Sequence, residues 1–151
     1  NDVILLPGDV AHMIEFKSYV NKKLLYSHRA DGLIVATPTG STAYALSGGG
    51  PILQPELEAM VLVPMFPHTL SSRPIVVPAS SHIRLHIQPQ NETSPYISCD
   101  GISKTALQLD TDIFIEDSGK KLTLIHPNDY DYYKTLREKL GWERTARRSE
   151  T

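Results

Sequence analysis

The sequence carries a single cysteine, Cys99, in 151 residues. It cannot hold an internal disulfide framework, and that usage fits a reducing compartment, with a cytoplasmic location expected. It has no apolar run near the ~20 residues that a membrane-spanning helix needs. It also lacks an excess of either charge: 15 Lys and Arg stand against 17 Asp and Glu, a net charge of −2. The basic footprint of a nucleic-acid binder is therefore missing at the level of the whole chain. No membrane partner and no nucleic-acid partner is expected.

Several catalytic signatures are missing too. No Gly-x-Ser-x-Gly elbow accompanies the serines, so a hydrolase triad has no support. No Walker loop is present, because no Lys follows the glycine of the one suitable turn. No histidine stands beside Cys99 to make it a nucleophile. The six histidines are His12, His28, His68, His82, His86 and His126. His82 and His86 share one strand but lie about 13 Å apart at the usual rise per residue, too far for one metal. What remains is 40% hydrophobic and 21% charged, the balance of a folded globular domain. That length suits one domain and buries a core unaided.

The pattern is mostly strand-like. Residues 3–6 are a short apolar run stopped by Pro7-Gly8-Asp9. Residues 13–20 and 24–29 flank the polar turn Asn21-Lys22-Lys23 as a hairpin. After Asp31-Gly32, Leu33-Ile34-Val35-Ala36 reads as a buried strand, and Met60-Val61-Leu62-Val63 as another. Residues 82–88 alternate, with Ile83, Leu85 and Ile87 on one face. Residues 112–116 and 121–126 flank the turn 117–120 and predict a second hairpin. A helical turn is expected over 55–59, and a helix from Pro127-Asn128-Asp129 to Gly141, with Tyr130, Tyr133, Leu136 and Leu140 on one stripe. The expected fold is mainly β, an antiparallel β-sandwich-like domain with a short helix after Thr39-Gly40 and a C-terminal helix. Residues 1–142 form the domain and 143–151 a loose tail.

The most informative stretch is centred on Pro38-Thr39-Gly40-Ser41-Thr42-Ala43-Tyr44. A buried strand feeds a Gly- and hydroxyl-rich turn that opens a helix, with Ser41 or Thr42 as its cap. Such a turn offers backbone N–H groups to an anion or to a polar ligand edge. Gly40 permits close approach, and Tyr44 supplies a stacking ring with a hydroxyl. A capped helix with no ligand fits the same residues. Gly48-Gly49-Gly50 either admits a second group or serves as a flexible connector. Asn1-Asp2 can chelate two ribose hydroxyls, or serve merely as turn and cap. Asp100-Gly101 reads as a turn.

The run from Asp31 to Tyr44, taken with Gly49-Gly50-Pro51-Ile52-Leu53, closely resembles the C-terminal domain of bacterial NAD kinases. Leu62-Val63-Pro64-Met65-Phe66-Pro67-His68-Thr69-Leu70-Ser71-Ser72-Arg73-Pro74, Ile97-Ser98-Cys99-Asp100-Gly101 and Leu124-Ile125-His126-Pro127 agree as well. The resemblance implies phosphoryl transfer from ATP or polyphosphate to the adenosine-ribose 2′-hydroxyl of NAD, giving NADP, with a divalent metal, magnesium, as cofactor. It implies a β-rich domain that supplies the NAD-binding half, in a homodimer or homotetramer. By the same resemblance Asn1 and Asp2 bind the ribose hydroxyls. Thr42, Ala43, Tyr44, Ala45, Leu46 and Ser47 match positions that contact adenine and the nicotinamide end. Asp31 matches an aspartate reaching the nicotinamide amide, often of a neighbouring subunit. His12 and Arg29 match further contacts, and Asp100, Gly101 and Ile102 line the same pocket.

One departure stands out. The family's Gly-Gly-Asp-Gly-Thr motif, whose aspartate serves as the base, does not occur in these residues. No catalytic base and no metal ligand is therefore expected in this chain. The opening at Asn1, as if a strand were entered mid-stride, points to a preceding domain that carries that motif. The chain alone is expected to bind dinucleotide and not to turn over. Two other readings share the residues: a relative of lipid or diacylglycerol kinases, and a non-catalytic nucleotide-binding module.

Overall fold

The structure is a computed structural model and describes residues 1–9 and 12–142. Two compact units are resolved, Asn1–Ser118 and Gly119–Thr151. The first is all β apart from one short helical passage. A six-stranded sheet runs in the order β6-β5-β4-β1-β8-β9 and a four-stranded sheet in the order β10-β7-β2-β3. The strands of the first sheet are β1 (Asp2–Leu6), β4 (Gly32–Ala36), β5 (Ala59–Met65), β6 (Ile75–Pro78), β8 (Tyr96–Cys99) and β9 (Ser103–Ala106). Those of the second are β2 (Ile14–Val20), β3 (Lys23–Ala30), β7 (Ile83–Ile87) and β10 (Asp112–Ile115). Every pairing is antiparallel.

The two-residue side-chain period of a strand explains the layering. Leu5, Leu33, Val35, Met60 and Leu62 of the first sheet meet Ile14, Phe16, Ile83, Leu85 and Ile87 of the second in one core between the sheets. The alternate residues Ile4, Ile34, Ala36, Val61 and Val63 face the other way, into a second core with Ala45 and Leu53. Both faces of β4 are thus covered, and all five of its residues are buried. A continuous apolar run in a central strand is the sequence mark of that double covering. The β2–β3 turn at Asn21 and Lys22 has both residues at positive φ, +50° and +67°, which matches the right-handed twist of the flanking strands.

The expected strands over 3–6, 13–20, 24–29, 33–36, 60–63 and 82–88 are present within a residue or two. Four expectations need correction. Residues 55–59 form no helix: a turn, closed by Leu57 N–H donating to Gln54 O, leads into β5 at Ala59. Residues 121–126 form no strand: they are exposed and lie in the second unit, so the hairpin after β10 is not made. Neither Ser41 nor Thr42 caps a helix. The C-terminal helix begins later than its first breaker suggests.

That helix, α2 (Tyr132–Leu140), belongs to the second unit. Asp131 is its N-cap, the carboxylate accepting from the N–H groups of Tyr133 and Lys134 at 2.8 and 3.1 Å. Gly141 ends it in the left-handed region at φ +68°. Pro127 precedes it by a turn whose Tyr130 stacks on His126 at 3.8 Å. The expected tail, 143–151, lies outside the described residues.

Candidate functional site

The site begins where β1 begins. Asp2 pairs with Ala36 at the end of β4, and Val3 pairs with Cys99 at the end of β8. Three chain segments therefore meet side by side at the same end of the sheet: Asn1-Asp2, the turn after Ala36, and Asp100-Gly101-Ile102. Hydrogen bonds join them. Thr37 donates to the Asn1 carbonyl through its backbone N–H at 2.9 Å and its hydroxyl at 3.2 Å. The Asp100 N–H donates to the Asp2 carbonyl at 3.0 Å. In return, Asp100 Oδ1 accepts from the Asp2 N–H at 3.1 Å and from the Asn1 backbone nitrogen at 2.5 Å.

The turn itself is built around two hydroxyls. Thr37 Oγ1 accepts from the Gly40 N–H at 3.1 Å. Ser41 is fully buried; its hydroxyl donates to Pro38 O at 2.6 Å and accepts from the Leu53 N–H at 2.9 Å. Thr42 donates its hydroxyl to Thr39 O at 3.1 Å. A serine or threonine that bonds back to the carbonyl three residues earlier tightens a 3₁₀ turn, here Gly40–Thr42, and caps no helix beyond it. The helix α1 (Tyr44–Ser47) is four residues long and has no side-chain cap. The N–H groups of Gly40, Ser41, Ala43 and Leu46 are already bonded within the turn. Those four N–H groups are therefore not open to an anion or a polar ligand edge. The segment also offers side chains.

Those side chains divide by exposure. Thr42, Ala43 and Ser47 are exposed, and Tyr44 is 47% exposed with its ring available. Leu46 is half-buried. Ala45 is fully buried in the second core, so it anchors the helix to the sheet and presents no side chain to a ligand. Gly48-Gly49-Gly50 is a packed connector: Gly49 sits at φ +81°, and a Cβ on Gly50 would lie 2.8 Å from both Ala45 O and Val63 Cγ2.

The charges follow from this geometry. Burial raises the Asp2 carboxyl above its ordinary value, and the neighbouring Asp100 carboxylate adds to the rise. Two carboxylates at one strand end accept hydrogen bonds readily and share negative charge poorly. That suits hydroxyl donors better than a phosphate.

The remaining expected residues lie elsewhere. Asp31 stands at the opposite end of β4, its N–H donating to Met65 O at 3.0 Å. It lies five steps along the chain from Ala36, the Asp2 pairing position, about 17 Å at the usual rise. Arg29 is on β3 in the other sheet, its carbonyl accepting from the His68 N–H at 2.9 Å. His12 lies beyond β1 with Nδ1 3.4 Å from Glu92 Oε2. The structure therefore brings Asn1, Asp2, Thr37, Gly40 and Asp100 together, with Thr42–Ser47 following in chain order after that turn and Gly101-Ile102 after Asp100, and leaves His12, Arg29 and Asp31 outside that cluster. Thr37 is a member that the sequence did not single out. A hydroxyl residue three before a turn glycine is the signal that marks it. Among the described residues no three His, Cys, Asp or Glu side chains come together as a metal-ligand set. Among them, too, no helix is long and apolar enough to cross a membrane.

Comparison with known proteins bears on this arrangement. The sequence profile of the ATP-NAD kinase C-terminal domain matches residues 1–127. The chain is 57% identical to an NAD kinase of Coxiella burnetii over 146 residues, 97% of this chain and 49% of that protein. It is 54% identical to an NAD kinase of Chromohalobacter salexigens over 142 residues, 94% of this chain and 48% of that protein. The chain thus spans about half the length of the curated relatives it matches. Among solved structures, yeast NADH kinase complexed with NADH superposes with a TM-score of 0.87 at 30% identity, over 99% of this chain and 46% of that one. An NAD kinase from Archaeoglobus fulgidus in complex with ATP gives 0.71 at 33% identity, over 79% of this chain and 45% of that one.

Proposed function

The chain belongs to the ATP-NAD kinase family, through its C-terminal domain, and on that premise we propose that it supplies the NAD-binding half of an NAD kinase. The reaction is transfer of the terminal phosphoryl group of ATP, or of polyphosphate, to the adenosine-ribose 2′-hydroxyl of NAD, giving NADP. The observation that carries this reading is the meeting of Asn1-Asp2, Asp100 and the Thr37–Gly40 turn that leads into Tyr44, at one end of the six-stranded sheet. The Asn1 amide and Asp2 carboxylate hold the ribose hydroxyls. The Tyr44 ring stacks on a base, and its hydroxyl adds a hydrogen bond. Thr42, Ala43, Leu46 and Ser47 line the adenine and nicotinamide contacts, and Gly101 and Ile102 close the rim.

The position of Asp31 at the opposite end of β4 supports a second assignment, in which it reaches the nicotinamide amide of a neighbouring subunit in a homodimer or homotetramer. His12 and Arg29 supply further contacts. Residues 1–142 act together as this domain. The general base and the phosphate-binding loop are supplied from outside these residues, since no Gly-Gly-Asp occurs among them. The magnesium ion is assigned no ligand among these residues, and no step is routed through a metal held by them. Phosphoryl transfer is mainly positioning and charge stabilisation, and this half contributes positioning of the acceptor hydroxyl. The reaction is placed in the cytoplasm.

Calorimetric titration with NAD tests the reading. The chain binds NAD and shows no NADP formation with ATP. Absence of NAD binding, or NADP formation by these residues alone, would overturn it.

A further inference from the structure

Strand β3 holds a buried histidine that the nucleotide reading does not use. His28 is 8% exposed. Its ring lies 4.4 Å from the Tyr26 ring and 6.0 Å from that of Phe16, centroid to centroid. Nε2 is 3.2 Å from the Ser72 hydroxyl, while Nδ1 is buried with no hydrogen-bond partner. Ser72 belongs to the connection between β5 and β6, residues 66–74. That loop is tied to β3 at two further points. The Tyr26 hydroxyl donates to Arg73 O at 2.6 Å, and the His68 N–H donates to Arg29 O at 2.9 Å. The Arg73 guanidinium folds back on its own loop, donating to Leu70 O and Ser72 O at 2.7 Å each.

We propose that His28 is a pH-sensitive latch that holds loop 66–74 against β3 while its ring is neutral. A neutral imidazole carries one N–H, and the Ser72 hydroxyl serves Nε2 as donor or acceptor. A protonated ring carries two. Ser72 can satisfy only one of them, and the other N–H would be buried beside the Phe16 and Tyr26 rings without an acceptor. The charged groups around the ring do not help. Arg73 is a cation on the loop that it touches, Arg29 lies on the opposite face of β3 next to it, and Tyr26 is a phenol already committed to Arg73 O. Among the described residues no carboxylate pairs with the ring. The neutral form is therefore the one this pocket accepts, in keeping with burial lowering the His28 pKa below its ordinary 6.5. A group depressed in this way adds stability above its ordinary pKa and loses it as the pH falls. Protonation expels the ring, breaks the Ser72 bond and frees the loop that displays Phe66 and Leu70, which are 79% and 92% exposed. The latch stands independently of the dinucleotide reading.

Amide hydrogen exchange of residues 66–74 in the full-length protein, corrected for intrinsic rates, tests it. Between about pH 7.5 and about pH 5.5 protection of the loop falls roughly tenfold or more, while core amides of β4 and β5 hold theirs. His28→Gln, which keeps a neutral donor near Ser72, removes that pH dependence, and Ser72→Ala loosens the loop already at the higher pH. A loop whose protection ignores pH, or a His28→Gln variant with the same fall as the parent, overturns the proposal. Should the variant fail to fold, an NMR titration of the His28 ring in the parent decides. The ring midpoint lies below 6.5 and coincides with the loop shifts; separate midpoints overturn the latch.

Discussion

Gly40→Ala is the substitution that most directly probes how the site is positioned. Built on this backbone, an alanine Cβ would lie 3.0 Å from the Asn1 Cα and 2.6 Å from its carbonyl carbon, with the carbonyl oxygen closer still. These are backbone atoms at a strand end, so no side chain can rotate away. The start of β1 must retreat by roughly 1 Å to restore van der Waals contact. That shift removes the two hydrogen bonds from Thr37 to the Asn1 carbonyl. At ~0.5–1.5 kcal/mol net for each, the fold loses about 1–3 kcal/mol. For a domain of this size that is a fall in Tm of about 2–10 °C. Both cores stay intact, so the protein still folds. The larger effect falls on the ligand, because Asn1 and Asp2 move relative to Tyr44. NAD affinity drops about tenfold or more, since a misplaced pair loses hydrogen bonds worth ~1.4 kcal/mol in total. Differential scanning calorimetry and NAD titration read the two quantities on one sample. An alanine variant with unchanged Tm and unchanged NAD affinity would refute the close approach of Gly40 to Asn1.

The same contacts set other expectations. Tyr44→Ala weakens NAD binding by about tenfold or more with little change in Tm, because the ring is half exposed and its removal opens no core cavity; titration and thermal unfolding separate the two. Asp2→Ala in the full-length protein lowers turnover while Tm stays within about 2 °C, and a collapse in Tm would instead assign the residue a purely structural task. The Ser18 hydroxyl is buried without a partner, so Ser18→Ala is neutral or stabilising by up to ~1 kcal/mol in urea unfolding. Because burial lowers the His28 pKa, the neutral ring's contribution is present above 6.5 and is lost as pH falls; parent and His28→Gln stabilities, measured against pH, converge or cross on the acid side.

Much of this fold is legible from periodicity. β4 announces its double burial through Leu33-Ile34-Val35-Ala36, and β7 shows a clean alternation that ends up as Ile83, Leu85 and Ile87 in the inter-sheet core. The elements that escaped are those where local chemistry competes with pattern. β9, Ser103–Ala106, carries no apolar alternation and every residue is exposed; only its ladder to β8 makes it a strand. Residues 121–126 have the reverse character, a strand-like pattern with no ladder, because alternation cannot supply a partner. At the site, Ser41 and Thr42 resemble caps in sequence but bond back to Pro38 and Thr39. Hydroxyl residues serve both purposes, and only the backbone direction distinguishes them. The carboxylate pair Asp2 and Asp100 is 98 positions apart in the chain, so register alone brings it together.

A crystal structure of the full-length protein grown with excess NAD tests the central claim most directly. The account predicts ribose hydroxyls against Asn1 and Asp2 and a base over the Tyr44 ring, with Asp100 at the rim. NAD bound away from that end of the sheet, with the Tyr44 ring bare, would contradict it.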